Sequence, residues 1–321
     1  MSPTLYGHAH LDGVRRALER LRTEQGRADA RYRVSRQVLN PVLQPLGFVV
    51  VADHYYQPLH TDRAARAVAT EHEPIWSARD DADAAVLLDR LLGTYAEEFR
   101  SEQGPAARFG FSAPPSQVGT CDQEVLYAMV RDRRPSRVVE IGAGGSTMII
   151  AAALAANGDG ASFTSVEPYP SPWLSERVHA IAAAVDFDLR ASAVQDVGRS
   201  LAVELGPDDL LFVDSSHVHR PGSDVEYEFL EMYPALADGV VLHVHDIFLP
   251  SDYPSEWNTV HRRYWNEQYV LEAVLRNSGR YRTLLPLCHL ASTRPEVFEA
   301  HLPGFERGVR PGSFWAEVTS A

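Results

Sequence analysis

Two short segments of this 321-residue sequence concentrate side chains that can move protons or bind a cation. The first reads Asp214-Ser215-Ser216-His217, and the second reads His243-Val244-His245-Asp246. Each lies at the end of an apolar run with the length of a buried strand. Carboxylates and imidazoles titrate on either side of neutral pH. The combination therefore suits general acid–base chemistry or the binding of a hard divalent cation.

A glycine-rich turn and a distant carboxylate point to a nucleotide ligand. Residues 138–141 form an apolar run interrupted only by Glu140, and the chain continues as Gly142-Ala143-Gly144-Gly145-Ser146-Thr147. Such a turn brings bare backbone close to a ligand at a helix N-terminus. Glu167 ends the next apolar run, where a carboxylate can accept both ribose hydroxyls. A nicotinamide cofactor stays open here, although the third glycine of the dinucleotide fingerprint is missing from its expected place.

Alternating apolar runs and helical patterns place these residues on one sheet. The runs predict strands over 137–141, 162–166, 189–193, 210–213 and 240–244, and the segments between them predict helices over about 147–156, 171–184 and 223–236. This rhythm is typical of a parallel, doubly wound α/β sheet. Ligands bind such sheets at the carboxyl ends of the strands, where Asp214 and Asp246 would share one crevice. A long helix over about 256–277 and β-rich pieces over 281–290 and 313–319 follow.

The first third of the chain predicts a mostly helical extension. Apolar positions recur at helical spacing over about 12–39 and again over about 78–99. Between them lie Tyr55 and Tyr56, which either cover a substrate pocket or fasten the extension to the core. Residues 104–117 are rich in proline and glycine and predict a linker. We therefore expect an extension or lid over residues 1–115 and a ligand-binding domain over residues 116–321.

Composition and charge exclude several classes of function. Forty-three acidic and thirty basic residues give a net charge of −13, which argues against nucleic-acid binding. Cys121 and Cys288 are the only cysteines and have no histidine at ligand spacing, so neither a disulfide framework nor a structural zinc site is expected. The sequence shows no signal-peptide pattern and no apolar stretch of membrane-spanning length. These features predict a cytoplasmic protein and make a polyanionic substrate improbable. We expect a small-molecule acceptor, with a homo-oligomer left open.

The sequence resembles class I S-adenosylmethionine-dependent methyltransferases. The family's first motif, an acid and Gly-x-Gly after strand one, corresponds to Glu140-Ile-Gly142-Ala-Gly144, and its second-strand acid corresponds to Glu167. Segments 212–217, 220–225, 243–254 and 264–269 are similar to a bacterial subgroup of these enzymes.

The resemblance covers about residues 109–290 and implies fold and cofactor contacts together. It implies a Rossmann-like, seven-stranded sheet whose final antiparallel strand lies over 313–319. It further implies that the cofactor S-adenosylmethionine contacts the turn, Glu167, the residues after strand four, and Gln195-Asp196 near the adenine. The residues so implicated are Glu140, Gly142, Ala143, Gly144, Ser146, Glu167, Gln195, Asp196, Asp214 and Ser215.

The reacting end admits two interpretations. Transfer to a hydroxyl needs a proton acceptor, and His217 or His245, with Asp246 beside them, is the candidate. For any single histidine, a purely structural hydrogen bond is an equal alternative. The second interpretation follows a more distant likeness to catechol-type methyltransferases, which implies that Asp214 and Asp246 chelate Mg²⁺. That pattern has Asn after the second acid, whereas this chain has Ile247, which removes one ligand.

The sequence therefore predicts an S-adenosylmethionine-dependent methyltransferase. We expect O-methylation of a small polar metabolite in biosynthesis, by direct in-line transfer that relies on alignment. One alternative keeps the cofactor but transfers its aminocarboxypropyl group or cyclises the cofactor itself. A second alternative is a nucleotide-binding protein without catalysis, against which the ionisable cluster at the ligand edge argues.

Overall fold

Seven short strands form one sheet in this protein. The computed structural model describes residues 21–52, 59, 72–101, 104–111 and 120–320. The strands are β1 (Arg137–Ile141), β2 (Ser162–Val166), β3 (Asp186–Arg190), β4 (Leu210–Val213), β5 (Val241–Val244), β6 (Tyr281–Pro286) and β7 (Phe314–Val318). Their order is β3-β2-β1-β4-β5-β7-β6. Strands β1 to β5 are mutually parallel, and β7 runs antiparallel to both of its neighbours. The expected α/β sheet and its antiparallel last strand are confirmed.

The register of the central strands fixes the edge at which the ligand residues meet. Ile141 at the end of β1 pairs with Val166 of β2 and with Val213 of β4, and Val213 pairs with Val244 of β5. All four strands therefore stop at the same level. Residues that follow them in sequence, including Gly142, emerge side by side at one edge of the sheet.

Helices make up much of the rest of the described chain. In chain order the described helices are α1 (Glu24–Val34), α2 (Asn40–Leu43), α3 (Ala78–Arg100), α4 (Pro105–Phe109), α5 (Thr120–Arg133), α6 (Gly145–Asn157), α7 (Pro172–Ser175), α8 (Val178–Ala184), α9 (Val194–Ala202), α10 (Asp224–Tyr227), α11 (Ser255–Thr259), α12 (Glu267–Asn277), α13 (Leu287–Thr293) and α14 (Pro295–His301). A π-helical turn extends α10 over Glu228–Met232.

The strand period divides the core into two layers. Val138, Leu210 and Phe212 point to the layer that holds α3, α5 and α6, whereas Val139 and Leu211 point to the layer that holds α9 and the α10 extension. Helix α3 begins at a capping box in which the Ser77 hydroxyl accepts from the Asp80 amide at 3.2 Å. Its buried residues recur at helical spacing, which confirms the helix predicted over 78–99: Ala84, Leu88, Leu91, Leu92 and Ala96.

Several predicted elements differ from the structure. The helix predicted over 171–184 is divided into α7 and α8, and the linker predicted over 104–117 contains α4. The predicted long helix over 256–277 is two helices, α11 and α12, and Arg262 and Tyr264 between them have positive φ angles of 52° and 54°, which no helix accommodates. The β-rich piece predicted over 281–290 stops at Pro286, and α13 follows it. The third strand lies at 186–190 instead of 189–193, because Phe187 and Leu189 alternate with acidic residues that face outward.

The described residues fall into two compact units. One contains residues 21–52, 59 and 254–264, and the other contains the sheet with residues 72–101, 104–111, 120–253 and 265–320. The boundary predicted at residue 115 and the tyrosines Tyr55 and Tyr56 lie outside the described residues. Among the residues that the structure describes, no helix is long and apolar enough to cross a membrane.

Candidate functional site

The turn after β1 passes very close to the end of β4. Gly142 has a φ of +85°, and its amide donates to the carbonyl of Val166 at 2.9 Å. A Cβ atom on Gly142 would lie 1.9 Å from the carbonyl oxygen of Asp214, a distance that no side chain tolerates. Glycine is therefore required here, because it alone allows both this backbone conformation and this approach.

Glu140 holds the turn from beneath. Its carboxylate is fully buried and accepts hydrogen bonds from the hydroxyls of Ser146 at 2.7 Å, Thr147 at 2.8 Å and Ser165. The Thr147 hydroxyl in turn accepts from the Gly144 amide at 3.0 Å. Burial raises the pKa of Glu140 to about 7, and the three hydroxyl donors oppose that rise. Glu140 thus joins β1, β2 and the start of α6, and does not itself face a ligand.

A cavity of about 480 Å³ opens at this edge of the sheet. That volume lies within the usual range of small-ligand and cofactor sites. Glu167 stands at the cavity with one carboxylate oxygen, Oε1, accepting from the Tyr169 amide at 2.8 Å. The Gln195 side chain donates to the Gly222 carbonyl at 3.1 Å and bridges two of the lining segments.

Half of the predicted cofactor residues line this cavity. They are Gly142, Glu167, Gln195, Asp214 and Ser215. The others, Glu140, Ala143, Gly144, Ser146 and Asp196, are not among its lining residues. For Ser146 the reason is its hydrogen bond to buried Glu140.

Tyr169, Arg220 and Asp224 are among the lining residues that the sequence analysis did not predict. The ring of Tyr169 is 87% exposed at the cavity, two residues after Glu167. Arg220 and Asp224 line the cavity as well. Asp224 accepts from the Ser216 amide at 2.9 Å and from the Ser216 hydroxyl at 2.6 Å, which fixes the loop after β4. An aromatic residue just beyond the second-strand acid was the signal available for Tyr169.

Beside the cavity, His217 lies among three carboxylates. Its Nε2 atom is 3.2 Å from Oδ1 of Asp214 and 3.8 Å from Oδ2 of Asp246, and its Nδ1 atom is 2.8 Å from Oε2 of Glu267. Burial lowers the pKa of His217, but the hydrogen bonds to Asp214 and Glu267 outweigh burial and raise it well above its usual value. Both ring nitrogens are therefore engaged.

The pKa values of the two aspartates of the cluster shift in opposite directions. Burial raises the pKa of Asp214, but attraction to His245 and the hydrogen bond from His217 outweigh it, so the net shift is downward. Burial raises the pKa of Asp246 above its usual value despite the same histidines. Asp246 has a φ of +56°, and its side chain is 20% exposed. Asp214 is thus the fixed anion, and Asp246 is the better proton acceptor of the two.

His243 in β5 and His245, just after β5, lie on the same side of the chain, as strand alternation predicts. His243 stacks on Phe212 with ring centroids 4.2 Å apart, and burial lowers its pKa well below the usual value, so it is neutral and belongs to the core. His245 lies nearer the edge, with Nε2 3.9 Å from Oδ1 of Asp246. Burial lowers the pKa of His245, but Asp214 and Asp246 outweigh burial and raise it.

The cluster is a poor fit for the Mg²⁺ ion considered from the sequence. Ligand atoms of Asp214, His217 and Asp246 lie within 4.8 Å of one another, and these residues form the candidate cation group among the residues described. Mg²⁺ prefers oxygen ligands, whereas this group offers an imidazole that is already held by Glu267. Ile247 is buried, and its amide donates to the Gly312 carbonyl at 2.8 Å. Its side chain is a hydrocarbon and supplies no ligand for a cation.

Two supporting residues come from distant parts of the sequence. Asp122 in α5 accepts from the amides of Gly312 at 3.2 Å and Ser313 at 3.0 Å. Gly312 in turn contacts Asp246, because a Cβ atom there would lie 2.9 Å from its Oδ1 atom. Neither residue carries a local sequence signal, because Asp122 and Gly312 come together beside Asp246 only in the folded protein.

Residues 139–247 match the family model of a methyltransferase domain. The match begins within β1 and ends just beyond β5, so it contains the glycine turn, Glu167, Asp214, His217 and Asp246. The chain is therefore similar to methyltransferases over the segment that carries the glycine turn, Glu167, Asp214 and Asp246.

Solved structures resemble the chain at low sequence identity. The SAH-bound methyltransferase PaMTH1 of Podospora anserina is 18% identical with a TM-score of 0.42, and the match covers 80% of this chain and 93% of that one. Cofactor-bound Rv0187 from MTB is 14% identical with a TM-score of 0.41, covering 84% and 100%. A putative methyltransferase from Thermobifida fusca YX is 15% identical with a TM-score of 0.43, covering 74% and 94%. No curated protein sequence matches the chain.

Proposed function

We propose that this protein transfers the methyl group of S-adenosylmethionine to an oxygen of a small polar acceptor. One observation carries the proposal: Asp214 both lines the 480 Å³ cavity and hydrogen-bonds with His217 of the acidic cluster. The cofactor site and the proton-handling groups therefore share a residue. A methyl donor and an acceptor hydroxyl placed there would lie next to each other.

Glu167 and Asp214 would bind different parts of the cofactor. Glu167 has one oxygen engaged by the Tyr169 amide, so its other oxygen is available to a ribose hydroxyl. Asp214 is the anion at the cluster end of the cavity, and it attracts the positively charged sulfonium end of the cofactor. Held in this way, S-adenosylmethionine would supply a methyl group at the end of the cavity where Asp214 lies, next to the acidic cluster.

The reaction is a direct displacement. A lone pair of the acceptor oxygen forms a bond to the methyl carbon, the carbon–sulfur bond breaks with its electron pair going to sulfur, and the hydroxyl proton passes to a base. We place that base on Asp246, because its pKa is raised and its side chain is partly exposed. His217 is the weaker candidate, since carboxylates already engage both of its nitrogens.

Charge favours a small acceptor over a polymeric one. The net charge of −13 repels polyanions, and the acidic cluster adds negative charge where the acceptor would bind. Tyr55 and Tyr56 keep their proposed role over the acceptor, and they lie outside the described residues. We also place the protein in the cytoplasm, which a chain with only two cysteines, Cys121 and Cys288, both buried, suits.

Isothermal titration with S-adenosylhomocysteine tests the cofactor site. We expect binding by the full chain, and a loss of affinity on the order of a hundredfold in Glu167→Ala, since hydrogen bonds to a charged group contribute roughly 1.5–3 kcal/mol each. The matched control is Glu204→Ala, which removes an exposed carboxylate paired with Arg137. If neither the wild type nor the control binds S-adenosylhomocysteine, the proposal is wrong.

Product analysis tests the group that is transferred. Incubation of the enzyme with S-adenosylmethionine and a panel of hydroxylated small molecules should release S-adenosylhomocysteine and a methylated product. Methylthioadenosine as the released nucleoside would instead show aminocarboxypropyl transfer or cyclisation. That outcome would contradict methyl transfer while leaving the cofactor site intact.

A further inference from the structure

The space between Asp214 and Asp246 is filled by a side chain of the protein. The Nε2 atom of His217 lies 3.2 Å from one aspartate and 3.8 Å from the other, and only 5% of the His217 side chain is exposed. A carboxylate can only accept hydrogen bonds when it is ionised. The Nε2 atom therefore carries a hydrogen directed at Asp214, with Asp246 close by.

The opposite side of the ring is held by Glu267. Oε2 of Glu267 lies 2.8 Å from Nδ1 of His217, and the Glu267 side chain is fully buried. Burial raises the pKa of Glu267 and outweighs the opposing effect of His217, so the hydrogen between Nδ1 and Oε2 is shared by the two groups. When this hydrogen is on Nδ1, the ring is an imidazolium whose positive charge lies among three carboxylates.

The start of α12 fixes this ring in place. The amides of Asn266 and Glu267 donate to the His217 carbonyl at 3.0 Å and 3.3 Å. The Asn266 side chain accepts from the His219 amide at 2.6 Å, and the Trp265 ring packs over the His217 ring with centroids 4.2 Å apart. His217 itself has a φ of +59°, so the loop is bent to present the ring.

We propose that the His217 side chain, held by Glu267, replaces a divalent metal ion between Asp214 and Asp246. The inference deepens the proposed methyl transfer and rests on it for its chemical purpose. The fixed positive charge offsets the repulsion between the two aspartates and keeps Asp246 oriented towards the acceptor hydroxyl. His217 and Glu267 are then positioning residues, and no metal ion is required for this alignment.

Two measurements that need no turnover test the charge of the ring and its role. In wild-type enzyme with ¹⁵N-labelled histidine, both ring nitrogens of His217 should show imidazolium shifts at neutral pH, and Glu267→Gln should shift them towards a neutral ring. The His217 signals are assigned by their loss in His217→Gly, a substitution that residue 217 accommodates because glycine adopts positive φ without strain. The matched control is His179→Ala, which removes an exposed histidine of α8.

Manganese binding supplies the second measurement. We expect wild-type enzyme and the His179→Ala control to bind no Mn²⁺ by electron paramagnetic resonance at millimolar concentration. Wild-type enzyme that binds one Mn²⁺ through Asp214, with loss of binding in Asp214→Asn or His217→Gly, would overturn the proposal and make His217 a metal ligand. A neutral His217 ring in wild-type enzyme would overturn it as well.

Kinetics separate positioning from structural support. In His217→Gly, kcat should fall on the order of a hundredfold, the effect of removing one preorganised charged group, while the Kd for S-adenosylhomocysteine changes less than about threefold. Added imidazole should restore part of kcat in His217→Gly and none in wild-type enzyme. Equal losses in kcat and cofactor affinity, without rescue, would contradict a positioning role. Because the magnetic resonance measurements need no turnover, they stand even if methyl transfer itself is disproved.

Discussion

Gly142 and Asp214 are in backbone contact, and this contact joins the cofactor turn to the reacting cluster. The amide of Asp214 donates to the Ile141 carbonyl at 2.8 Å, and a Cβ atom on residue 142 would lie 1.9 Å from the Asp214 carbonyl oxygen. The glycine turn and the strand end that carries Asp214 are therefore positioned by each other. A substitution in the turn is therefore expected to displace Asp214, and a substitution at Asp214 is expected to displace the turn.

Gly142→Ala should abolish cofactor binding. The added methyl group meets backbone on β4 and also requires a positive φ that alanine adopts at a cost of about 1 kcal/mol or more. We expect S-adenosylhomocysteine affinity to fall by more than about a hundredfold, with a loss of several kcal/mol in the free energy of unfolding, as for other overpacked sites. Titration calorimetry and urea unfolding measure the two effects.

Gly279→Ala is the matched control for that substitution. Gly279 has no atom within 4 Å of its Cβ position and is not among the positive-φ glycines. The Gly279→Ala variant should match wild type, within experimental error, in its affinity for S-adenosylhomocysteine and in its free energy of unfolding. Gly142→Ala enzyme that binds the cofactor normally would show that the turn moves away from β4, contrary to the structure.

Gly312→Ala should impair catalysis without impairing cofactor binding. The new methyl group would lie 2.9 Å from Oδ1 and 3.0 Å from Cα of Asp246, so Asp246 must shift, while Glu167 and the cavity on the other side of β4 are untouched. A misplacement of a reacting group by about 1 Å can lower the rate about a hundredfold. We expect that loss in kcat with an unchanged Kd for S-adenosylhomocysteine. Gly304→Ala, at a site with open space, should leave both values unchanged.

Tyr169→Ala should weaken cofactor binding through loss of a stacking surface. The ring is exposed at the cavity beside Glu167, where an adenine can stack on it. Stacking of a base on an aromatic side chain contributes roughly 1–3 kcal/mol, so we expect affinity for S-adenosylhomocysteine to fall between about fivefold and a hundredfold. Tyr169→Phe keeps the ring and should bind within about twofold of wild type. Equal losses in both variants would assign the effect to the hydroxyl instead.

The sequence alone predicted the elements that local patterns determine. Strand β1, the turn at Gly142 and the carboxylate Glu167 follow from a β-branched run, from glycines and from one acid, each of which acts over a few residues. The parallel sheet follows from the alternation of strands and helices. Strand β1, the turn and Glu167 depend on local patterns, which is why their positions were predicted to within a residue.

The rest of the site depends on contacts that no local pattern contains. Glu267 lies 50 residues from His217, yet it sets the charge of that ring, so His217 as a proton acceptor was proposed without its principal partner. Asp122 and Gly312 are 190 residues apart in the sequence, yet they are hydrogen-bonded to each other beside Asp246. The break between α11 and α12 was missed for a related reason, since helical spacing of apolar residues does not reveal positive φ angles at Arg262 and Tyr264.

Glu140 predicts a pH dependence of stability with a defined sign. Burial raises its pKa from 4.5 to about 7 in the folded protein, whereas the unfolded chain keeps the ordinary value. Between these two values the folded state binds a proton that the unfolded state has released. The free energy of unfolding therefore falls as pH rises from about 4.5 to about 7 and is level above that range. At about 1.4 kcal/mol for each pKa unit, the expected loss is roughly 3 kcal/mol.

Glu140→Gln should remove this slope. Glutamine does not titrate, so the unfolding free energy of the variant should vary less between about pH 5 and about pH 8 than that of wild type. Its absolute stability should be lower by about 1 kcal/mol at acidic pH, because the amide offers one acceptor oxygen to the hydroxyls of Ser146, Thr147 and Ser165. Urea unfolding at several pH values gives both quantities.

The comparison of wild type with Glu140→Gln isolates Glu140 from other groups. Glu124, whose pKa burial also raises to about 7, stays in both proteins and contributes equally to both slopes. The free energy of unfolding of wild type minus that of the variant should therefore fall from about +1 kcal/mol at acidic pH, through zero, to about −2 kcal/mol near pH 7 and then stay constant. Parallel curves across the whole range would mean that Glu140 is ionised in the folded protein even at about pH 5. The three hydroxyl donors would then outweigh its burial.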